Sequence, residues 1–188
     1  FIVLVILLIL YIVYENHTRN KELLKYAQTD ALTGLYNKET TEQLTDELLS
    51  EDENKYHAFL ILDVDCFKQI NDIYGHAVGD IVLQKFGKLL KGTFREGDIL
   101  GRIGGDEFGV IMKNIQTKDI AMKKAEELLA KTQAYKIDEL KGNNISISIG
   151  ISTAPQDGDC YMDLYKRADQ ALYQAKRSGK ARVCNYFS

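Results

Sequence analysis

The chain is poor in what small proteins use as staples. It has three cysteines, Cys66, Cys160 and Cys184. They are odd in number, widely spaced and without a CxxC pair, which argues against a disulfide framework and against a zinc site, and suits a reducing compartment. Charge of one sign is also lacking. A formal net charge of -3 supplies no basic field, so composition gives no support for nucleic-acid binding. Internal repeats and low-complexity segments are absent. What remains is 188 residues with 45% apolar content, enough for one well-buried domain and an appendage.

The one long apolar run is residues 1–14, FIVLVILLILYIVY. A membrane span needs about 20 apolar residues, so the run reads as the end of a transmembrane helix rather than a whole one. A signal-peptide core is the rival, but no small-residue cleavage site follows it. Arg19, Lys21 and Lys25 lie just beyond, where positive charge marks the cytoplasmic side. The expectation is a protein of the inner (cytoplasmic) membrane whose globular domain faces the cytoplasm. Residues 15–29 are polar, lack Gly and Pro, and read as a helical linker. A single globular domain is expected over 30–188.

Within that domain the patterns mix. Residues 58–64 (AFLILDV) form a continuous apolar run of the kind buried on both faces of a sheet. Residues 145–152 alternate apolar residues with serine, as a strand does. Helices are expected over 39–49, 81–94, 120–131 and 161–177, and a last strand over 183–187. Residues 99–103 and 108–112 are short and apolar, and Gly104-Gly105 between them predicts a two-residue hairpin turn. The fold class expected is α+β.

Acids collect at the strand ends. Asp106 and Glu107 sit at the mouth of the hairpin, where two adjacent carboxylates repel unless a cation shares them. Hard oxygen donors of this kind suit Mg²⁺ or Mn²⁺ held together with substrate phosphates. Solvated acids beside a Gly-Gly turn are the plain alternative. Asp63 and Asp65 end the apolar strand on one side of it, with Val64 on the other; Asp65 reads equally as a cap. In the stretch that follows, Lys68 and the backbone N–H groups could hold phosphate. Asn71 and Asp80 could read guanine, whose N1 and N2 edge offers a carboxylate two N–H donors. Separately, Asn71 also reads as a turn residue, Asp80 as an acid at a helix start, and His76 as a loop hydrogen-bonder.

Five motifs in order, DALTGLYNK (30–38), LDVDCFKQINDIYGHAVGD (62–80), RIGGDEF (102–108), SIGIS (148–152) and ADQALYQAKRSGKARV (168–183), resemble those of GGDEF-domain diguanylate cyclases. The resemblance implies a mostly antiparallel central sheet flanked by helices, of the nucleotidyl cyclase or palm (ferredoxin-like) type. It implies condensation of two GTP into cyclic di-GMP with release of pyrophosphate, across a homodimer of facing domains. It also implies Mg²⁺ ligation by Asp63, the Val64 carbonyl and Asp106, with Asp106 or Glu107 helping to deprotonate the attacking 3′-hydroxyl. Asn71 and Asp80 match the guanine-reading pair, and Lys68 and Lys176 the phosphate-binding lysines. Cys66, Phe67, His76 and Lys180 fall in the same substrate-binding motifs. Arg95 and Asp98 match an RxxD site that binds the product cyclic di-GMP as a feedback inhibitor. Lys38 and Lys180 stand where the family commonly has arginine, which would have offered a planar fork to phosphate. The alternative function is a catalytically silent domain that senses GTP or cyclic di-GMP.

Overall fold

The computed structural model describes residues 10–15, 19, 27–52 and 55–186. Helix α1 (Lys38–Glu51) leads into strand β1 (His57–Val64), then the short α2 (Phe67–Tyr74) and the longer α3 (His76–Thr93). The hairpin strands β2 (Ile99–Arg102) and β3 (Glu107–Met112) follow, then α4 (Lys118–Ala134), β4 (Ile147–Ala154), α5 (Tyr161–Arg177) and β5 (Val183–Asn185). One five-stranded sheet is ordered β2-β3-β1-β4-β5. Its pairings are antiparallel except the last, β4 with β5. The expected α+β class with a mostly antiparallel sheet is therefore what the chain forms.

Strand alternation sorts the core into two layers. Leu60, Leu62, Val64, Phe108, Val110, Ile147, Ile149 and Ile151 pack with Phe86 and Leu90 of α3 and Leu128 of α4. Phe59, Ile61 and Ile111 point the other way, into Tyr161, Leu164, Ala168 and Leu172 of α5 and Leu48 of α1. The serines of β4 belong to that second face. Ser152 Oγ donates to the Leu164 carbonyl at 2.8 Å, and at Gly150 the α5 backbone comes so close that a Cβ would lie 2.1 Å from the Ala168 oxygen. The glycine of SIGIS is thus a contact plate for α5, the helix that carries Lys176.

Two details differ from the sequence reading. The hairpin connection is four residues long, 103–106; Arg102 pairs with Phe108, and both Ile103 N and Gly104 N donate to the Glu107 carbonyl. Neither Gly104 nor Gly105 takes a positive φ, so the two-residue primed turn, which needs left-handed residues, does not form. Asn71, read also as a turn residue, lies inside α2, and Asp80 lies in the second turn of α3. Gly75, at φ 85°, forms the elbow between those helices.

Residues 1–9 and most of the expected linker lie outside the described residues. Residues 10–15 are helical, and Leu10, Tyr11, Ile12, Val13 and Tyr14 there are exposed. Among the described residues no helix is long and apolar enough to cross a membrane.

Candidate active site

Register brings the acids together. Asp63, the penultimate residue of β1, lies directly opposite Glu107, the first of β3, and Val64 N donates to the Asp106 carbonyl at 3.2 Å. The three expected metal donors, Asp63, Val64 and Asp106, are thereby neighbours across one strand pair. From α5, Lys176 Nζ reaches Asp63 Oδ2 at 2.7 Å, so the expected phosphate lysine here serves as counter-ion to the buried carboxylate. Burial raises the Asp63 pKa, Lys176 opposes it, and the charges of Asp106 and Asp65 raise it further. Glu107 is raised too, first by burial and then by Asp63, with Lys176 again opposing. Carboxylates that push one another's pKa upward, already partnered by one ammonium, form a hard-oxygen set that fits a divalent cation such as Mg²⁺ or Mn²⁺.

The hairpin tip is braced by Arg102, which is itself held by Asp30 from outside the hairpin motif. Arg102 donates from Nη2 to the Gly105 carbonyl at 2.6 Å and from Nη1 to both Asp30 oxygens at 3.2 Å. Burial pushes Asp30 upward, but hydrogen bonds from Thr33 and the Arg102 charge outweigh it and leave its pKa lowered. Asp30 opens the DALTGLYNK segment, which explains why that segment accompanies the hairpin in sequence. Sequence reasoning assigned neither Asp30 nor Arg102 to the site. Their opposite charges 72 positions apart were the available signal. A Cβ on Gly104 would lie 2.9 Å from Glu107 Oε2, whereas one on Gly105 would meet nothing within 4 Å. The first glycine thus makes room for Glu107, and the second leaves the exposed tip open.

The α2–α3 elbow holds the expected guanine readers. Asn71 packs over Gly79, where a Cβ would fall 1.9 Å from its Oδ1 and 3.2 Å from Phe67 Cζ. That Oδ1 is buried and has no hydrogen-bond partner, an open valence of the kind a ligand donor satisfies. Asp80, Lys68 and His76 are exposed on the same elbow. Cys66 begins α2 in a left-handed conformation, φ 58°, and its Sγ accepts from Lys180 Nζ at 3.1 Å. That bond, followed by the Asp65 and Asp63 charges, holds the Lys180 pKa above its usual value. Asp65 is a brace: Ser146 Oγ and Ser148 Oγ donate to it at 2.7 Å each, and Ala181 N at 3.1 Å. It ties β1, β4 and the Lys180 loop together, a bracing role different from the helix cap that the sequence also allowed.

Arg95 and Asp98 meet at the far end of the hairpin. Arg95 Nε donates to Asp98 Oδ1 at 3.0 Å, Lys113 N donates to the same oxygen at 3.1 Å, and Arg95 Nη2 donates to the Lys113 carbonyl. Asp98 is only 3% exposed at its side chain while Arg95 is 59% exposed. The aspartate therefore closes the strand end, and the arginine, bonded to Asp98 and to the Lys113 carbonyl, is the more exposed member of the pair.

The family described as "Diguanylate cyclase, GGDEF domain" matches residues 27–182. Diguanylate cyclase A of Treponema denticola is 37% identical over 170 residues, covering 87% of this chain and 46% of that protein. The response regulator PleD of Caulobacter vibrioides is 37% identical over 177 residues, 90% of this chain and 39% of its own length. The chain thus spans less than half of either relative. Among solved structures, the coiled coil and GGDEF domain of DgcB from Caulobacter crescentus, in complex with c-di-GMP, superposes with a TM-score of 0.84 at 26% identity, covering 92% of this chain and 93% of that one. The GGDEF domain of TpbB from Pseudomonas aeruginosa gives 0.79 at 33% identity, covering 85% and 94%.

Proposed function

The chain belongs to the GGDEF family of diguanylate cyclases, and on that premise we propose that it condenses two GTP into cyclic di-GMP. The carrying observation is the strand register that sets Asp63 against Glu107 and Val64 against Asp106, beside Lys176. In each of two equivalent steps, a 3′-oxygen bonds to the α-phosphorus of the other GTP, the bond to the β-phosphate bridge breaks, and pyrophosphate leaves with the electron pair. Asp63, the Val64 carbonyl and Asp106 would hold Mg²⁺ or Mn²⁺, which when bound lowers the pKa of a coordinated hydroxyl and offsets phosphate charge.

The chain's own groups do the rest. Asn71, with its unpartnered Oδ1, and Asp80 bind the guanine edge. Lys68, exposed on α2, and Lys180 bind phosphate, and Lys176 can turn from Asp63 to the same task. Asp106 or Glu107 receives the 3′-hydroxyl proton. The open face at Gly105 lets the tip approach a substrate without a side chain in the way.

One domain carries one such set, so catalysis requires a second copy facing it, with reacting atoms brought to about 3–3.5 Å. Cyclic di-GMP binds back at Arg95 and Asp98 as an inhibitor. Attachment to the cytoplasmic membrane with the domain in the cytoplasm is part of the proposal, resting on the apolar run at residues 1–14 and on Arg19, Lys21 and Lys25 beyond it. Incubation of the full chain with GTP and Mg²⁺ tests the reading. Cyclic di-GMP should accumulate, and Asp106→Ala should abolish it. GTP binding without turnover in a dimer would instead make the chain a sensor module.

A further inference from the structure

Residues 113–115, just past β3, run beside the recess at Arg95, and four contacts fix them. Lys113 N donates to Asp98 Oδ1 at 3.1 Å, Arg95 Nη2 donates to the Lys113 carbonyl, and Ile115 N donates to the Tyr56 carbonyl at 2.8 Å. The middle contact is of a different kind: Asn114 N donates to His57 Nδ1 at 3.4 Å. Asn114 has a left-handed φ of 48°, a conformation that costs energy in a non-glycine residue and persists where its surroundings impose it. The recess has a volume of about 510 Å³, and Thr93, Phe94, Arg95, Asn114, Ile120 and Lys124 are among its lining residues. Thr93 Oγ1 is buried without a hydrogen-bond partner, an open valence that a polar group of a ligand satisfies.

His57, the first residue of β1, is 1% exposed. Because its Nδ1 accepts from Asn114, the neutral ring carries its proton on Nε2. The Asp52 backbone is close enough to favour the charged ring but closes no hydrogen bond with Nε2, which is buried and unpartnered. Among the described residues the charged groups that face His57 are Asp52 and Lys55 between α1 and β1, Lys113 past β3, and Asp159 before α5. Burial lowers the His57 pKa, the Asp52 backbone and charge oppose it, and Lys55 and Lys113 lower it further. The ring is therefore neutral near pH 7 and takes up a proton in weak acid.

We propose that His57 is a pH-sensitive latch on the Arg95 recess: neutral Nδ1 holds the Asn114 amide in place, and a proton on Nδ1 releases it, so that a ligand at Arg95 is held less tightly in weak acid. A protonated Nδ1 is a donor and cannot face the Asn114 N–H. The latch rests on the cyclic di-GMP reading of Arg95 for its ligand but not for the Asn114 contact. His57 and Asn114 both lie outside the five motifs that carry the family resemblance.

Calorimetric titration of cyclic di-GMP into the full chain, from about pH 7.5 down to about pH 5, tests this. Loss of one hydrogen bond should raise the wild-type dissociation constant about two- to tenfold over that range. His57→Gln offers Asn114 an amide oxygen at every pH, so its affinity should stay within about twofold. Should that variant fail to fold, the wild type decides alone. By NMR the Asn114 amide and the His57 ring should titrate with one midpoint, below the usual histidine value, and saturating cyclic di-GMP should lower it further, as linkage requires. A wild-type affinity indifferent to pH, an equal loss in both proteins, or an Asn114 amide that does not follow the His57 ring overturns the proposal. Absence of binding at every pH removes the cyclic di-GMP reading of Arg95 and with it the ligand part of the proposal, and the Asn114 amide then decides the latch. Neither readout needs turnover, so both stand apart from the cyclase reading.

Discussion

Gly79→Ala should weaken GTP binding without unfolding the domain. The position lies inside α3 and does not need a left-handed φ, so alanine is conformationally welcome and would by itself favour the helix by about 1 kcal/mol. The obstacle is Asn71. The new methyl would sit 1.9 Å from its Oδ1 and 3.0 Å from its Cγ, and the amide must retreat by about 1.5 Å to reach the 3.4 Å of ordinary contact. Phe67, with its Cζ at 3.2 Å from the same point, restricts where it can go. A displaced amide loses its bond to guanine, or leaves a ligand group unpaired, at a cost of about 1–3 kcal/mol, which is about a five- to 150-fold rise in the GTP dissociation constant. Titration of GTP by calorimetry reads the effect directly. Asn71→Ala should show a similar loss, and the double variant no more than Asn71→Ala alone, because both act through one amide. Affinity within twofold of wild type in Gly79→Ala, or losses that add in the double variant, would refute the guanine-reading role of Asn71.

Other consequences follow from the braces. Asp65→Ala leaves Ser146, Ser148 and Ala181 N without their acceptor and should cost about 1–3 kcal/mol, seen as a melting point several degrees lower; an unchanged melting point would contradict the bracing role. Asp30 has a lowered folded pKa, so its contribution is present above the unfolded value near 3.9 and is lost as pH falls through the folded value. The melting-point difference between wild type and Asp30→Asn should accordingly be constant near neutrality and shrink below about pH 4; a gap that widens in acid would reverse the assignment. Arg95→Ala removes the hydrogen bonds that the arginine donates to buried Asp98 and to the Lys113 carbonyl, so it should lower the melting point modestly and also remove inhibition of synthesis by added cyclic di-GMP. Equal inhibition of both proteins would remove Arg95 from that site.

Much of this arrangement can be read in the sequence, for physical reasons. The apolar run ending at Asp63 and Val64 has to be a buried strand, and the acids beside Gly104-Gly105 have to sit at a hairpin end. Expected helices overlap the observed ones, and residues 161–177 coincide with α5. What resists reading is anything set by partners distant in the chain. That Asp63 faces Glu107 depends on register, and that Lys176 lands on Asp63 depends on how α5 settles on Gly150. The hairpin turn escaped because Gly-Gly suggests left-handed residues, whereas here the first glycine yields space to the Glu107 side chain. In sequence, Asp98 and Asp65 look like the acids proposed for catalysis. Only their bonds to Lys113 N, Ser146, Ser148 and Ala181 N distinguish a brace from an open carboxylate.

The central claim is that each domain supplies half of a catalytic centre. Co-expression of wild-type and Asp106→Ala chains in graded ratios, followed by a measure of cyclic di-GMP formed per total protein, tests it most directly. Because both half-sites must act to close the ring, activity should fall as the square of the wild-type fraction, to about one quarter in an equal mixture of freely assorting dimers. A linear fall to one half, or activity undiminished by the variant, would contradict the account.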